Sequence, residues 1–269
     1  MLLGVMLTGK PRIARGVHAN VGLRARYQRQ MKALVDEMAQ SIEYWLTAAY
    51  KQAPPRMAAL VAMDSTPSEE MLKNFRQVAR RWLRRFDAAA PKIAEAYLQG
   101  SFRATDSAMR QALKAAGLSV RFQLTPAMRD AFNASLAENI GLIRSIPEEY
   151  LQKVEGIVAR SYVAGRDLET MVKQLRRLYP QASNRAVLIA RDQSNKANAV
   201  VIRARQLELG IEEALWLHSH GGKVPRPDHL AADGRRYKVA EGCKISGQFL
   251  QPGELINCRC TSRSILPGF

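Results

Sequence analysis

The stretch "SNRAVLIARDQSNKANAVVIRARQLELG", residues 183–210, decides the fold. Its pattern predicts one long helix, with Ser183 as the N-terminal cap and Gly210 as the C-terminal stop. The composition changes at Gly210, because beyond it lie glycine and proline clusters, short apolar segments and all three cysteines. The chain is therefore predicted to pass from a helical part into a small β-containing part.

The sequence before residue 183 predicts further helices, because apolar residues recur at three- and four-residue steps. Since proline interrupts helices, Pro91 and Pro147 are expected to begin helices and Pro180 to end one. The predicted helices are 20–52, 68–86, 91–115, 126–142, 147–164 and 167–179. After Gly210, short strands are predicted at 213–219, 236–239 and 261–265.

These elements predict a mainly α fold. An elongated helical N-terminal region is followed by a helical pair and a small irregular β-containing C-terminal cap, so the C-terminal part is α+β. A length of 269 residues suits two domains, or one domain with a long extension. We expect a helical, basic region at 1–165 and a C-terminal domain at 166–269, with helices to about residue 210.

The charge of the chain indicates a negatively charged partner. Lysine and arginine number 41 against 24 acidic residues, so the net charge is +17. This excess favours nucleic acid without sequence choice, although a solvated helix face is the alternative for any single basic run. A helix carries the strongest cluster, and its candidate nucleic-acid contacts are Arg76, Arg80, Arg81, Arg84 and Arg85.

Cysteine usage and hydropathy exclude several classes of protein. Three cysteines, two of them in a C-x-C pair, do not suggest a disulfide framework. The N-terminal residues are too weakly apolar for a secretory signal, and no run reaches the ~18 apolar residues of a membrane helix. We expect a soluble, reduced chain that is cytosolic in origin and has no membrane partner.

Two short stretches hold the residue types of a metal site. "WLHSHGGKVPRPDHLAADG" at 216–234 contains three of the four histidines, and "NCRC" at 257–260 contains two cysteines. His229, Cys258 and Cys260 are candidate ligands of a structural zinc ion, with a fourth ligand from Cys243, His220 or His218. The alternative is a hydrogen-bonded polar cluster with partly buried thiols. Asp228 and Asp233 are expected to orient the imidazole or to pair with Arg226.

Catalytic patterns are weaker in this sequence. A metal nuclease of the His-Asn-His type would use residues such as His220, His229 and Asn257, but their order and spacing do not form that pattern. A cysteine hydrolase would need a thiol with a lowered pKa in a cleft, and no sequence feature marks one. No catalytic residue is therefore assigned, and we do not expect an enzyme.

The C-terminal arrangement as a whole resembles the Mu F-like head morphogenesis family of tailed bacteriophages, also called minor head or minor capsid proteins. The resemblance covers about 150–269. Its elements are Ala190-Arg191-Asp192-Gln193, Gly210, Trp216, Arg226, His229, Asp233-Gly234, Pro252-Gly253 and Asn257-Cys258-Arg259-Cys260. Each element alone is weak, but the combination is specific.

The resemblance implies a virion component inside the phage head. It implies association with the portal protein, the major capsid protein or both, contact with packaged double-stranded DNA, and a role in head assembly. A structural cluster is expected to hold the cap together, formed by Trp216, Arg226, His229, Asp233, Cys258, Arg259 and Cys260. Two alternatives stay open: a metal-dependent DNA-processing enzyme and a simple basic DNA-binding module.

Overall fold

The computed structural model describes residues 10–52, 67–163, 168–221 and 224–267. After a two-residue strand, four long helices are followed by a small set of antiparallel strands and one short helix, which confirms the predicted fold class. The elements in chain order are β1 (Arg12–Ile13), α1 (Val21–Gln52), α2 (Pro67–Ala115), α3 (Pro126–Val163), α4 (Leu168–Glu208), β2 (Glu213–Leu217), α5 (Pro227–Ala231), β3 (Arg236–Lys238), β4 (Cys243–Ile245), β5 (Gln248–Leu250) and β6 (Thr261–Leu266).

The chain forms two compact units that are not continuous in sequence. The first unit comprises residues 1–25, 96–136 and 191–269, and the second comprises 26–95 and 137–190. Each of the helices α1 to α4 contributes residues to both units. The predicted domain boundary at residue 165 lies outside the described residues, and the division into 1–165 and 166–269 stays a prediction.

The predicted helix breaks at three prolines are wrong. Pro91, Pro147 and Pro180 lie inside α2, α3 and α4, so each predicted pair of helices is one helix. An interior proline costs a helix about 3 kcal/mol. Apolar side chains on both sides of each proline are buried, and this burial outweighs that cost. The buried neighbours include Phe86, Ala94, Ile143, Tyr150, Leu178 and Ala182.

The core of the second unit shows why α1 forms where the sequence predicts it. One stripe of α1 is buried, and its spacing of three and four residues is that of a single helix face. The buried residues are Tyr27, Met31, Val35, Met38, Ile42, Leu46 and Tyr50. Within the described ranges, no helix combines the length and the apolarity that a crossing of a membrane requires.

In the first unit, four strands form an antiparallel sheet in the order β1-β6-β2-β3. The predicted strands at 213–219, 236–239 and 261–265 correspond to β2, β3 and β6. Strand β1 was not predicted: it pairs Arg12 with Leu266 and Ile13 with Ile265 at the edge of the sheet. The hairpin β4-β5 was also missed.

Polar side chains on α4 attach this sheet to the helix. The amide of Gln206 donates to the hydroxyls of Ser262 and Ser264 at 2.8 and 2.9 Å. Asn198 donates to the carbonyl of Val17 at 2.9 Å. Gln206 and Asn198 are at most 4% exposed, so these hydrogen bonds are shielded from solvent. They fix the position of the sheet on α4.

A buried cation lies at the end of the same helix. The guanidinium of Arg205 binds both carboxylate oxygens of Asp106, at 2.9 and 2.7 Å, and Glu208 at 2.6 Å. It also lies 4.5 Å from the ring centroid of Phe122. The Arg205 side chain is only 4% exposed, so its charge depends on these carboxylates.

Replacement of Arg205 by alanine should therefore destabilise the protein strongly. Removing one partner of a buried ion pair costs about 3–5 kcal/mol, because the remaining charges stay desolvated and unpaired. Urea unfolding of Arg205→Ala and of Arg203→Ala, an exposed arginine on the same helix, measures the difference. Equal unfolding free energies for the two variants would contradict this account.

Candidate functional site

The candidate site lies where the end of β2 meets the start of β6. Leu217 pairs with Thr261 in the sheet. The residues after β2 and the residues before β6 are therefore brought side by side. This register places the 216–234 stretch beside the 257–260 stretch. The predicted structural cluster takes residues from both stretches.

Helix α5 positions the imidazole of His229. Arg226 is extended at φ −70° and ψ 125°, and Pro227 occupies the first helical position, which a proline suits. The His229 ring is 3% exposed and packs edge-to-face on Trp216, with ring centroids 5.2 Å apart at 89°. The ring therefore has one defined orientation.

His229, Cys258 and Cys260 converge on one point. The Nδ1 atom of His229 lies 3.5 Å from the sulfur of Cys258 and 3.7 Å from that of Cys260. The three potential ligand atoms all lie within 4.8 Å of one another. Cys258 and Cys260 are 4% and 6% exposed, so the group is shielded from water on most sides.

A hydrogen bond couples the two thiols of Cys258 and Cys260. A hydrogen bond from Cys260, opposed by burial, lowers the pKa of Cys258 to about 5. The same hydrogen bond, with burial, raises the pKa of Cys260. The indole N–H of Trp216 and the backbone amide of Ser219 partly offset that rise. The hydrogen bond between the two thiols therefore favours the ionised form at Cys258 and the protonated form at Cys260.

A second polar cluster lies next to these residues. One oxygen of Asp233 accepts the backbone N–H of His218 at 2.8 Å, and the other lies 3.0 Å from Nε2 of His220. The bond from the His218 amide, with the His220 side chain, lowers the pKa of Asp233. Burial, with the neighbouring His220, lowers the pKa of His218 and favours its neutral form.

The two aspartates do not act as the sequence suggested. Asp233 holds His220 and the His218 backbone rather than His229. Asp228 accepts the backbone N–H of His229 at 2.8 Å and the hydroxyl of Ser246 at 3.1 Å. Neither aspartate pairs with Arg226. The expectation that they orient the imidazole or pair with this arginine is therefore wrong.

Three arginines surround the cleft above the cysteines. Arg226 donates to the carbonyl of Ile256 at 2.9 Å, and Arg191 to the side-chain oxygen of Asn257 at 2.8 Å. Arg259 donates to the carbonyl of Gly221. None of the three forms an ion pair with a carboxylate in the described part of the chain. The cleft has a volume of about 600 Å³, and its lining also includes His218, His229, Cys258 and Cys260.

The structure brings the residues of the predicted structural cluster close together. It leaves Cys243, a predicted metal ligand, outside the group of converging ligand atoms. Trp216, Cys258, Cys260 and Cys243 belong to one apolar core. The Cys243 sulfur is nevertheless outside the converging group, because Cys243 lies in β4. Burial raises the pKa of Cys243, as expected for an inert core thiol. Whether the cluster binds metal stays a prediction.

The sequence suggested a role for Asn257 only as part of a nuclease pattern, and its structural role was not predicted. Asn257 has φ 60°, a left-handed conformation that asparagine tolerates better than most residues. Its backbone N–H donates to the carboxylate of Asp192 at 2.7 Å, while its side-chain oxygen accepts from Arg191. The available signal was the polar run around Asp192, in which Gln193 and Ser194 are also buried.

The residues of the nuclease hypothesis are held by different partners. His220 lies against Asp233, and the side chain of Asn257 is bound by Arg191. His229 alone among them belongs to the converging group of described ligand atoms. The geometry therefore gathers thiols around His229 rather than a His-Asn-His set.

Comparison with known proteins finds a family match that covers the candidate site. Residues 152–263 match the family model described as "Phage Mu protein F like protein". The predicted resemblance is thereby confirmed over this range, which is similar to the phage Mu F-like family. The described polar anchors on α4, the strands β2 to β5 and the three converging side chains all lie inside the matched range.

The chain is also similar to one curated protein. An uncharacterized protein of Haemophilus influenzae is 35% identical over 149 residues, which are 55% of this chain and 32% of the relative. The chain thus spans about a third of that relative's length. No solved structure matches the chain.

The contacts of Asp233 predict a pH-dependent contribution to stability. Since folding lowers the pKa of Asp233 below its usual 3.8, the ionised side chain stabilises the folded state above that pH. This contribution is lost as the pH falls through the folded-state pKa. Near neutral pH, Asp233→Ala should therefore lower the unfolding free energy by about 1–3 kcal/mol.

Urea unfolding near neutral pH and at about pH 3 measures this contribution. The gap between the wild type and Asp233→Ala should narrow at the lower pH. Asp233→Asn is the matched control, because it keeps an acceptor for the His218 amide and should lose less stability. A gap that is the same at both pH values would refute the role of the charge.

Proposed function

We propose that the protein is a minor head protein of a tailed bacteriophage that lies at the portal inside the capsid. In this role it assists head assembly and contacts the packaged DNA. The observation that carries the proposal is the match of residues 152–263 to a phage head family. In this proposal the C-terminal part of the chain has a structural role, and no reaction is assigned to it.

The build of the first unit supports a structural role. Its sheet pairs β1 with β6, so two segments that lie far apart in the sequence are joined in one sheet. Buried polar bonds from Gln206 and Asn198 fix the sheet to α4. Such an arrangement gives a rigid body for docking on a protein assembly.

The portal contact is tested by co-expression of the full chain with the portal protein of the same phage. Size-exclusion chromatography in high salt, with nuclease present, removes association through DNA. Co-elution of the two proteins is the expected result. Separate elution under these conditions would contradict a direct portal contact and leave the basic DNA-binding module as the better hypothesis.

The DNA contact is proposed for one exposed face of α2. Arg80, Arg81 and Arg84 are exposed, and no ion pair to them is found in the part of the chain that the structure describes. Arg76 differs, because it pairs with Glu155 at 2.8 Å. These three unpaired guanidinium groups can contact phosphates, and phosphate contacts supply affinity without sequence choice.

The remaining predicted contact, Arg85, is also engaged within the protein. It pairs with Glu37 and lies 4.8 Å from the ring centroid of Trp82. An arginine that is held in this way loses an internal contact if it turns to DNA. The proposed DNA-contacting set is therefore narrower than the sequence-derived set.

Charge reversal of Arg80, Arg81 and Arg84 to glutamate should weaken DNA binding. If each residue neutralises one phosphate, the slope of log affinity against log salt should become shallower by about 2.7. Fluorescence anisotropy with a labelled duplex at several salt concentrations gives this slope.

Reversal of Arg110, Lys114 and Arg121, which are exposed in the first unit, is the matched control. It changes the net charge by the same amount without touching the proposed face. If both triple variants change the slope equally, the overall charge and not this face determines the affinity, and the assignment fails.

A further inference from the structure

The three side chains at the base of the cleft have the spacing of a metal site. In a tetrahedral zinc site with bonds of about 2.3 Å to sulfur and 2.05 Å to nitrogen, each sulfur lies about 3.6 Å from the nitrogen. The observed separations from His229 Nδ1 are 3.5 Å to Cys258 and 3.7 Å to Cys260. The ligand atoms are therefore spaced as they would be around one ion.

The donor set selects the kind of ion. Two thiols and one imidazole are soft and borderline donors, which suit zinc and do not suit magnesium or calcium. Two thiolates also neutralise the charge of a divalent ion, so the ion can lie in a site that is largely closed to water. Cys258 and Cys260, spaced as C-x-C before β6, both present sulfur to the same nitrogen.

We propose that His229, Cys258 and Cys260 bind one zinc ion whose fourth coordination position opens into the arginine-lined cleft and receives a phosphate oxygen. This inference is independent of the portal contact and of the DNA face on α2. It assigns to the module a ligand-binding site that a purely structural zinc centre would not have.

The fourth position is open because no described side chain completes the set. Only these three ligand atoms lie within 4.8 Å of one another in the part of the chain that the structure describes. Cys243 lies in the core of β4, and Nδ1 of His218 accepts the backbone N–H of His220 at 3.1 Å. The cleft of about 600 Å³ borders all three ligands and leaves room for a small anion.

The charge around the opening favours an anion. Arg191, Arg226 and Arg259 line the cleft, and each donates to a neutral oxygen of an amide or carbonyl group. Planar guanidinium groups without a carboxylate partner match the oxygens of a phosphate group. With the ion neutralised by the thiolates, these arginines leave the cleft positively charged.

A thiol and imidazole pair acting as a nucleophile is the competing explanation. Such a pair requires a third group that orients the imidazole. The Nε2 atom of His229 is buried and has no hydrogen-bond partner among the described residues. In addition, the second sulfur lies almost as close to Nδ1 as the first, which a metal requires and a nucleophilic pair does not.

The metal content of the full chain tests the first half of the proposal. The protein is purified without a histidine tag from zinc-supplemented cells, and zinc is measured by mass spectrometry. About one zinc ion per chain is expected for the wild type and for the control Cys243→Ser. Cys258→Ser and His229→Ala should lose it. A folded wild type without zinc, or equal loss from Cys243→Ser, would overturn the site.

Cobalt substitution tests the open position. Inorganic phosphate added to the cobalt form should change its visible absorption, because phosphate replaces a water ligand. Arg226→Gln should raise the phosphate concentration for half the change about tenfold, while the control Arg236→Gln should not. A spectrum that phosphate leaves unchanged would mean four protein ligands, with His218 as the fourth, and would overturn the open position.

Discussion

The position of strand β6 is the constraint on which the first unit depends. It pairs with β2 on one side and with β1 on the other, so it joins the two ends of the described chain in one sheet. The pairing of Leu217 with Thr261 fixes where Cys258 and Cys260 meet the 216–234 stretch. Gln206 then ties the same strand to α4 through Ser262 and Ser264. The site is a consequence of this register.

Much of the fold follows from local patterns in the sequence, but some of it depends on distant contacts. Apolar periodicity predicted α1 and the strands β2, β3 and β6 because each has its own local signal. The two residues of β1 carry no such signal, since only the edge of β6 makes them a strand. The helix prediction failed at the interior prolines. The cost of a proline in a helix is visible in the sequence. The burial of apolar side chains on both sides of each proline outweighs that cost.

The members of the candidate site could be predicted, but its geometry could not. Residue types and spacing are enough to group His229, Cys258 and Cys260 as candidate ligands of one ion. The same argument could not exclude Cys243, because its place in β4 depends on a hairpin whose turn has Ser246 and Gly247 at positive φ. It named Asn257 for a nuclease pattern and did not predict its observed role, in which a left-handed backbone lets Arg191 and Asp192 hold the loop before the cysteines.

A double-mutant cycle on His229→Ala and Cys258→Ser tests most directly whether the two stretches form one site. The unfolding free energies of the wild type, both single variants and the double variant are measured in urea. The account predicts an interaction energy of about 1 kcal/mol or more, because the two side chains are in contact. His229→Ala combined with Met109→Ala, which lies in a separate core, should be additive within about 0.5 kcal/mol. Additivity for His229 and Cys258 as well would contradict a single site.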